Sequence, residues 1–436
     1  MFGKPIALAT RADLDRLIDE DIPEGRHLEY KEAVPVSKEE IKRQAKEGKP
    51  VAVDEAIAAG KGIGDHGRNE LLEELVAFAN GDGGVIVLGM AETPQAPPRA
   101  AKLKPIPHVA ALERRLRDAI VACVEPRMPS TAVKAIETES DGSGVILLEV
   151  QSSILGPHRV RPTRNATIRR EDSCSQLSMT EIHDMVLRNA RRFDETNAKL
   201  VAEEQGFWDE FTDYFRSHTS RIAAPTERDK LEIYCSENQL ALFGVRITVV
   251  PHQNLGIARL ESFAGLCARR KLSVTGETEL IRLLEPDSLS SRRFINGVRC
   301  QSSTDPRFIV TAERGGLCRI LAFETTFVGA MPTDYLMSLS GTALSLYEGL
   351  RQRAGMPSMT AEVSVGIIAI GSLKPSIGHG INDYGSCPLE MQTDFPRYTI
   401  GTRESFDVAL SMIAGDFANA GDLRVRGVPK FGLVDS

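Results

Sequence analysis

Glu24, Glu29 and Lys31, close together in PEGRHLEYKEA, carry the sharpest chemical signal in the chain. HLEYKEA has strand character. Side chains alternate along a strand, so Glu29 and Lys31 share one face while Leu28 and Tyr30 share the other. A carboxylate and an ammonium so placed suit phosphodiester hydrolysis: the carboxylate can ligate Mg²⁺ or Mn²⁺, and the lysine can stabilise charge on the phosphate or position the attacking water. Taken alone, Glu-x-Lys is better read as an exposed strand that carries an ion pair.

Two further segments add to this. In AFANGDGGVIVLGMAE, a helix end and a glycine turn feed a β-branched run that closes on Glu92, and active-site groups of α/β folds sit beyond such strand ends. Gly83 and Gly84 permit a tight helix-to-strand turn, and Asn80 reads as turn chemistry. The segment GPHRVRPTRNATIRRED supplies His158, Arg159, Arg161, Arg164, Arg169 and Arg170, with no acid from 156 to 170. The guanidinium fork matches phosphate oxygens, so these residues are candidates for tracking a nucleic-acid backbone; pairing of Arg169 with a neighbouring acid is the competing reading.

The elements that must hold these groups predict a mixed α/β fold. RADLDRLIDE is a short amphipathic helix, and Leu71, Leu72, Leu75, Val76 and Phe78 mark the buried face of a second helix. VIVLGM, VILLEV (145–150) and ATIRR read as strands, a helix is expected at 108–122, and MTEIHDMVLRNARRF closes the domain. We place this domain at 1–195, with 33–67 as a solvated insertion. The polar DETNAKLVAEEQ suggests a boundary at 195–205. A second, α+β domain then spans 205–436, with strands near 231–235, 240–250, 308–312, 317–323 and 363–370, and helices at 340–353 and 403–418. Trp208, with Phe207, Phe211, Tyr214 and Phe215, reads as a helix packing face rather than a base-stacking platform.

Bulk composition narrows the classes. The 436 residues are 42% hydrophobic and 26% charged, enough for two globular domains. A net charge of −7 requires any polyanion contact to come from a local basic patch. Seven scattered cysteines without a CxxC pair point to reduced thiols in a cytoplasm and away from structural zinc. The absence of a long apolar run or signal-peptide layout argues against export or a membrane span. Gly62, Gly64 and Gly67 formally match GxGxxG, but no buried strand precedes them, and GKGIGDHG lacks the P-loop Lys-Ser/Thr, so neither a dinucleotide nor ATP is expected. His252, His379 and Asp383 are isolated polar residues with no motif around them.

In this order HLEYKEA, LLEELVAFANGDGGVIVLGMAE and VILLEVQSSILGPHRVRPTRNATIRRED resemble the Schlafen AlbA_2 family over residues 24–190. The resemblance implies a nucleic-acid-binding fold that in some members is a divalent-metal-dependent endoribonuclease acting on tRNA-like, structured RNA through three carboxylates. These fall on Glu24, Glu29 and Glu92, with the family lysine on Lys31. Mg²⁺ or Mn²⁺, a partner RNA or DNA, and a place in phage defence follow from the resemblance as expectations, and a homo-oligomer is compatible with it. The chain departs from the family pattern at Ala91 and Glu92, where an acidic pair ending in aspartate is usual, and in the long link after Lys31. The alternative is a non-catalytic nucleic-acid-binding regulator on the same fold.

Overall fold

The computed structural model describes residues 6–48, 53–128, 131–171, 173–218, 228–260, 270–274, 289–302, 307–354, 356, 359–376, 387–401, 403–423 and 431–435. The chain divides into two units, Met1–Phe193 and Asp194–Ser436. Cys267, His379 and Asp383 lie outside the described residues.

In the first unit, β1 (Leu28–Lys31) runs parallel to β2 (Gly83–Leu88), which pairs antiparallel with β7 (Gly144–Gln151) and through it with β6 (Thr131–Glu137), giving the order β1-β2-β7-β6. This sheet is covered on both faces. Leu28 and Tyr30 pack with Leu14 and Leu17 of α1 (Arg11–Asp19) and with Val85, Val87 and Leu147. On the other face, Leu71, Leu75 and Phe78 of α4 (Asp65–Asn80) and Leu112 and Leu116 of α5 (Val109–Cys123) pack with Ile86, Leu88, Ile146 and Leu148. Burial on both sides explains why β2 and β7 read as continuous apolar runs. Between β1 and α4 lie α2 (Lys38–Lys46) and α3 (Glu55–Ala58). The expected solvated insertion is therefore partly anchored: Val34 and Ile57 join the core, and buried Asp54 caps α3 while its Oδ2 accepts from Gly64 N at 2.9 Å. The proline-rich stretch after Glu92 also holds a strand, β4 (Ala100–Leu103), paired with β3 (Met90–Glu92).

The two units divide at 193/194, beside the polar 195–205, and the helix Met179–His218 is unbroken there. The residues there are mostly Ala, Glu, Lys and Gln, which favour helix whether or not they are buried. Phe207, Phe211, Tyr214 and Phe215 of this helix form a buried cluster with Leu321 and Phe323, as expected of a packing face.

The second unit is built on an antiparallel sheet whose longest strands are Ala241–Pro251, Cys318–Thr326 and Ala361–Ile370, with Ala241–Pro251 central. Helices Thr333–Arg353 and Arg403–Ala420 pack on one face. One expectation fails: 231–235 lies in a helix, Arg228–Asn238, not a strand. LEIYC is rich in strand formers, but Leu231 and Cys235, four apart, bury one helical face against Leu242 and Ile370.

Candidate functional site: a carboxylate and arginine cluster

Strand β1 sets Glu29 and Lys31 on the face that looks toward α4, opposite Leu28 and Tyr30. Glu29 is buried and both of its oxygens are taken. Oε1 accepts from Lys31 Nζ, and Oε2 lies 2.7 Å from a terminal nitrogen of Arg169. Lys31 Nζ is also 3.5 Å from Glu74 Oε1, and Arg169 is 3.7 Å from Glu74 Oε2. Burial pushes the Glu74 carboxyl up, opposed by Lys31; burial would lower Lys31, but Glu74 and Glu29 together raise it, so its ammonium stays charged.

Arg169 comes from β9 (Thr167–Arg170) and is held on every side. It donates to the carbonyls of Gly25 (3.1 Å) and Leu28 (3.3 Å) and stacks 4.8 Å from the centre of the Phe78 ring. Phe78 in turn needs Gly84, where a Cβ would fall 2.4 Å from its ring. Asn80 fixes β9 from the other end. Its Nδ2 donates to the carbonyls of His158 and Thr167, both at 2.8 Å, and its Oδ1 accepts from His158 N at 2.7 Å. Asn80, a turn residue by its sequence context, is a buried cross-link between helix, loop and strand. Glu74 belongs to no motif in the sequence. The signal was its spacing, three after Leu71 and four before Phe78, which puts an acid on the apolar face of α4.

Glu24 lies just before β1, half-buried, with Oε1 accepting from Tyr30 N at 2.6 Å. Burial, with the charges of Glu29 and Glu92, pushes its carboxyl up to about 7, although the Tyr30 amide and Arg169 pull the other way. Glu92, exposed at the end of β3, is thus near enough for its charge to act on Glu24. The carboxylates of Glu24, Glu29 and Glu92, the three expected to ligate Mg²⁺ or Mn²⁺, are near enough for the charges of Glu29 and Glu92 to act on Glu24. Glu29 already has two cations on its oxygens, and among the described residues no group of three or more His, Cys, Asp or Glu is arranged to hold a metal ion.

The basic segment is divided by the fold. His158 is fully buried; its Nδ1 donates to the Pro126 carbonyl at 2.8 Å, and burial pulls its pKa down, so the ring is neutral and cannot meet a phosphate. Arg169 is likewise internal. These two expected backbone contacts are corrected: alternation along β9 points Arg169 into the core and leaves Arg170 outside, where it pairs with Glu181. Arg159, in the short strand β8 (Arg159–Val160) that pairs with β5 (Val124–Glu125) after α5, and Arg161, in the turn that follows, remain exposed, and both use one carboxylate, Glu125, at 2.7 and 3.7 Å. Arg164 is exposed in a left-handed conformation (φ 62°), and Arg127 is exposed two residues past Glu125; among the described residues neither has a carboxylate partner. Arg127 lies outside the arginine-rich segment in sequence, which is why it was missed.

Among the described residues no helix is long and apolar enough to cross a membrane. No curated protein matches the chain. Among solved structures it is similar to the DIP2311 protein of Corynebacterium diphtheriae, at 15% identity over 38% of this chain and 30% of that one, with a TM-score of 0.24, too slight a likeness to carry an argument. A family model, Schlafen, AlbA_2, matches residues 24–178, a span that takes in Glu24, β1, the AFANGDGG turn and the arginine strand. Residues 24–178 are a Schlafen AlbA_2 domain, and that membership connects the N-terminal unit with nucleic acids.

Proposed function

We propose that the N-terminal unit binds the phosphate backbone of a nucleic acid, RNA or DNA, on the turn that carries Arg159, Arg161 and Arg164. The supporting observation is the local charge imbalance. Arg159 and Arg161 share a single carboxylate, and Arg127 and Arg164 stand beside them exposed, in a chain whose net charge is −7. Half-exposed guanidinium groups keep most of their charge available to a phosphate, because a surface ion pair is worth little. Fluorescence anisotropy with a labelled tRNA-like stem-loop and a single-stranded DNA tests this. Arg159→Glu with Arg161→Glu is expected to weaken binding at least about tenfold, and unchanged binding would remove the proposal.

One observation favours a second reading, cleavage of RNA. A carboxyl held near 7 can take a proton at neutral pH, and Glu24 sits in the same cluster as the charged Lys31. In this reading the 2′-hydroxyl attacks phosphorus and its proton passes to Glu24. The bond from phosphorus to the 5′-oxygen breaks, and that oxygen takes a proton from water, leaving a 2′,3′-cyclic phosphate. The reading predicts cleavage in EDTA that is lost in Glu24→Gln. Cleavage seen only with Mn²⁺ would support the metal-dependent endoribonuclease that the family resemblance implies.

A further inference from the structure

The segments that carry the family resemblance, Glu29-x-Lys31, the AFANGDGG turn and the arginine strand, meet at one place in the fold, and what they build there is mostly internal: Glu29 and Arg169 are buried, Lys31 and Glu74 partly so. Two carboxylates, Glu29 and Glu74, face two cations, Lys31 and Arg169. The charges balance within the group. Arg169 satisfies its remaining donors on backbone carbonyls at the start of β1, and Phe78 covers its face. Asn80 pins the strand that carries it, and Gly84 leaves room for the ring that covers it.

We propose that Glu29 is the internal counter-ion of Arg169 and Lys31, part of a buried lock that fixes β1 against α4 and β9, and is not a ligand for a divalent metal. A buried carboxylate that already holds an arginine and a lysine would have to release at least one of them to take up a metal ion. The released cation would then be left without its partner in a desolvated site, at a cost of the kind that makes broken buried pairs so destabilising. Glu29 is therefore a positioning residue: it sets where Glu24, five residues earlier, sits relative to β3 and Glu92. This goes beyond nucleic-acid binding and does not depend on it.

The test uses the full-length protein and Mn²⁺ alone, followed by electron paramagnetic resonance of the unbound ion. The wild type is expected to show no saturable site tighter than about 1 mM. One Mn²⁺ bound per chain, and released by Glu92→Gln, which leaves the lock intact, would overturn the proposal. The second arm is a double-mutant cycle in thermal melting. Glu29→Gln and Arg169→Met are each expected to lower the melting temperature by roughly 6–12 °C, and the pair together by clearly less than the sum. If either single variant fails to fold, Lys31→Met and Glu74→Gln complete the same cycle on the other side of the group. Additive losses, or a Glu29→Gln variant as stable as the wild type, would also overturn it. Anisotropy on the same samples reports separately on nucleic-acid binding, so the loss of one reading is told apart from the loss of the other.

Discussion

Arg169 and Glu29 meet at 2.7 Å with side chains only 2% and 9% exposed, joining a strand near the end of the AlbA_2 domain to one near its beginning. The contact closes a long loop of chain, and the residues around it serve to keep it shut. Measurable consequences follow for stability, pH dependence and salt dependence.

Asn80 is the most exacting of the supports, since three hydrogen bonds converge on its buried amide. Asn80→Ala leaves one backbone N–H and two carbonyls without these partners and is expected to cost about 3 kcal/mol or more. Urea denaturation monitored by circular dichroism measures it. A loss below about 1 kcal/mol would mean that the His158 loop relaxes to find other partners.

Gly84→Ala tests the packing beneath Arg169. The added methyl would sit 2.4 Å from the Phe78 ring and 2.9 Å from the His27 carbonyl, so ring and sheet cannot both keep their places. A destabilisation of about 2–3 kcal/mol is expected, and Phe78→Leu in the same background should recover part of it by freeing space.

Glu24 gives the molecule a definite pH signature. Its carboxyl is raised to about 7 in the folded state, so the unfolded chain ionises it first. The favourable contribution of the protonated form is complete below the ordinary carboxylate range, near 4.5, and is lost as pH rises toward and through about 7. Glu24→Gln, which cannot ionise but can still accept from Tyr30 N, should therefore melt with the wild type at pH 4.5 and above it at pH 8. Identical curves at both pH values would show that Glu24 is not desolvated.

His158 works in the opposite sense. Its folded-state pKa is depressed by burial, so its contribution is present above the ordinary histidine value and is lost as pH falls below it. His158→Gln should flatten the acid limb of the melting-temperature profile between pH 7 and 5, a change that differential scanning calorimetry resolves.

The arginine turn carries the last prediction. Each phosphate contact releases counterions, so the triple reversal Arg159→Glu, Arg161→Glu and Arg164→Glu should reduce the slope of log affinity against log salt by about 2–3. Arg170→Glu is a control from the separate strand β9; Arg170 has Glu181 to itself, where Arg159 and Arg161 share one carboxylate, so its reversal should change the slope little. Equal effects from both would move the binding face away from the turn.

Much of the N-terminal fold was legible in the text. The alternation in HLEYKEA put Glu29 and Lys31 on one face, and the apolar runs VIVLGM and VILLEV named two strands that the sheet buries on both sides. Local periodicity records which side of an element is covered, because burial acts on every turn of a helix and every second residue of a strand. The same local signal failed at LEIYC, where strand-forming side chains sit in a helix.

The sequence by itself determined most of the element types, the presence of a Schlafen AlbA_2 domain and the set of charged residues from which a site could be made. Only the tertiary structure decided what each charge does. Arg169 and Arg170 are adjacent in the text, yet one is buried against Glu29 and the other stands in solvent. Glu74, unremarked among leucines, joins the buried cluster, while His158, set among arginines, is sealed from any ligand. The reason is physical: the state and partners of an ionisable group depend on desolvation and on charges a few ångströms away, and those neighbours come from segments far apart in the chain, as far as the 144 residues between Gly25 and Arg169.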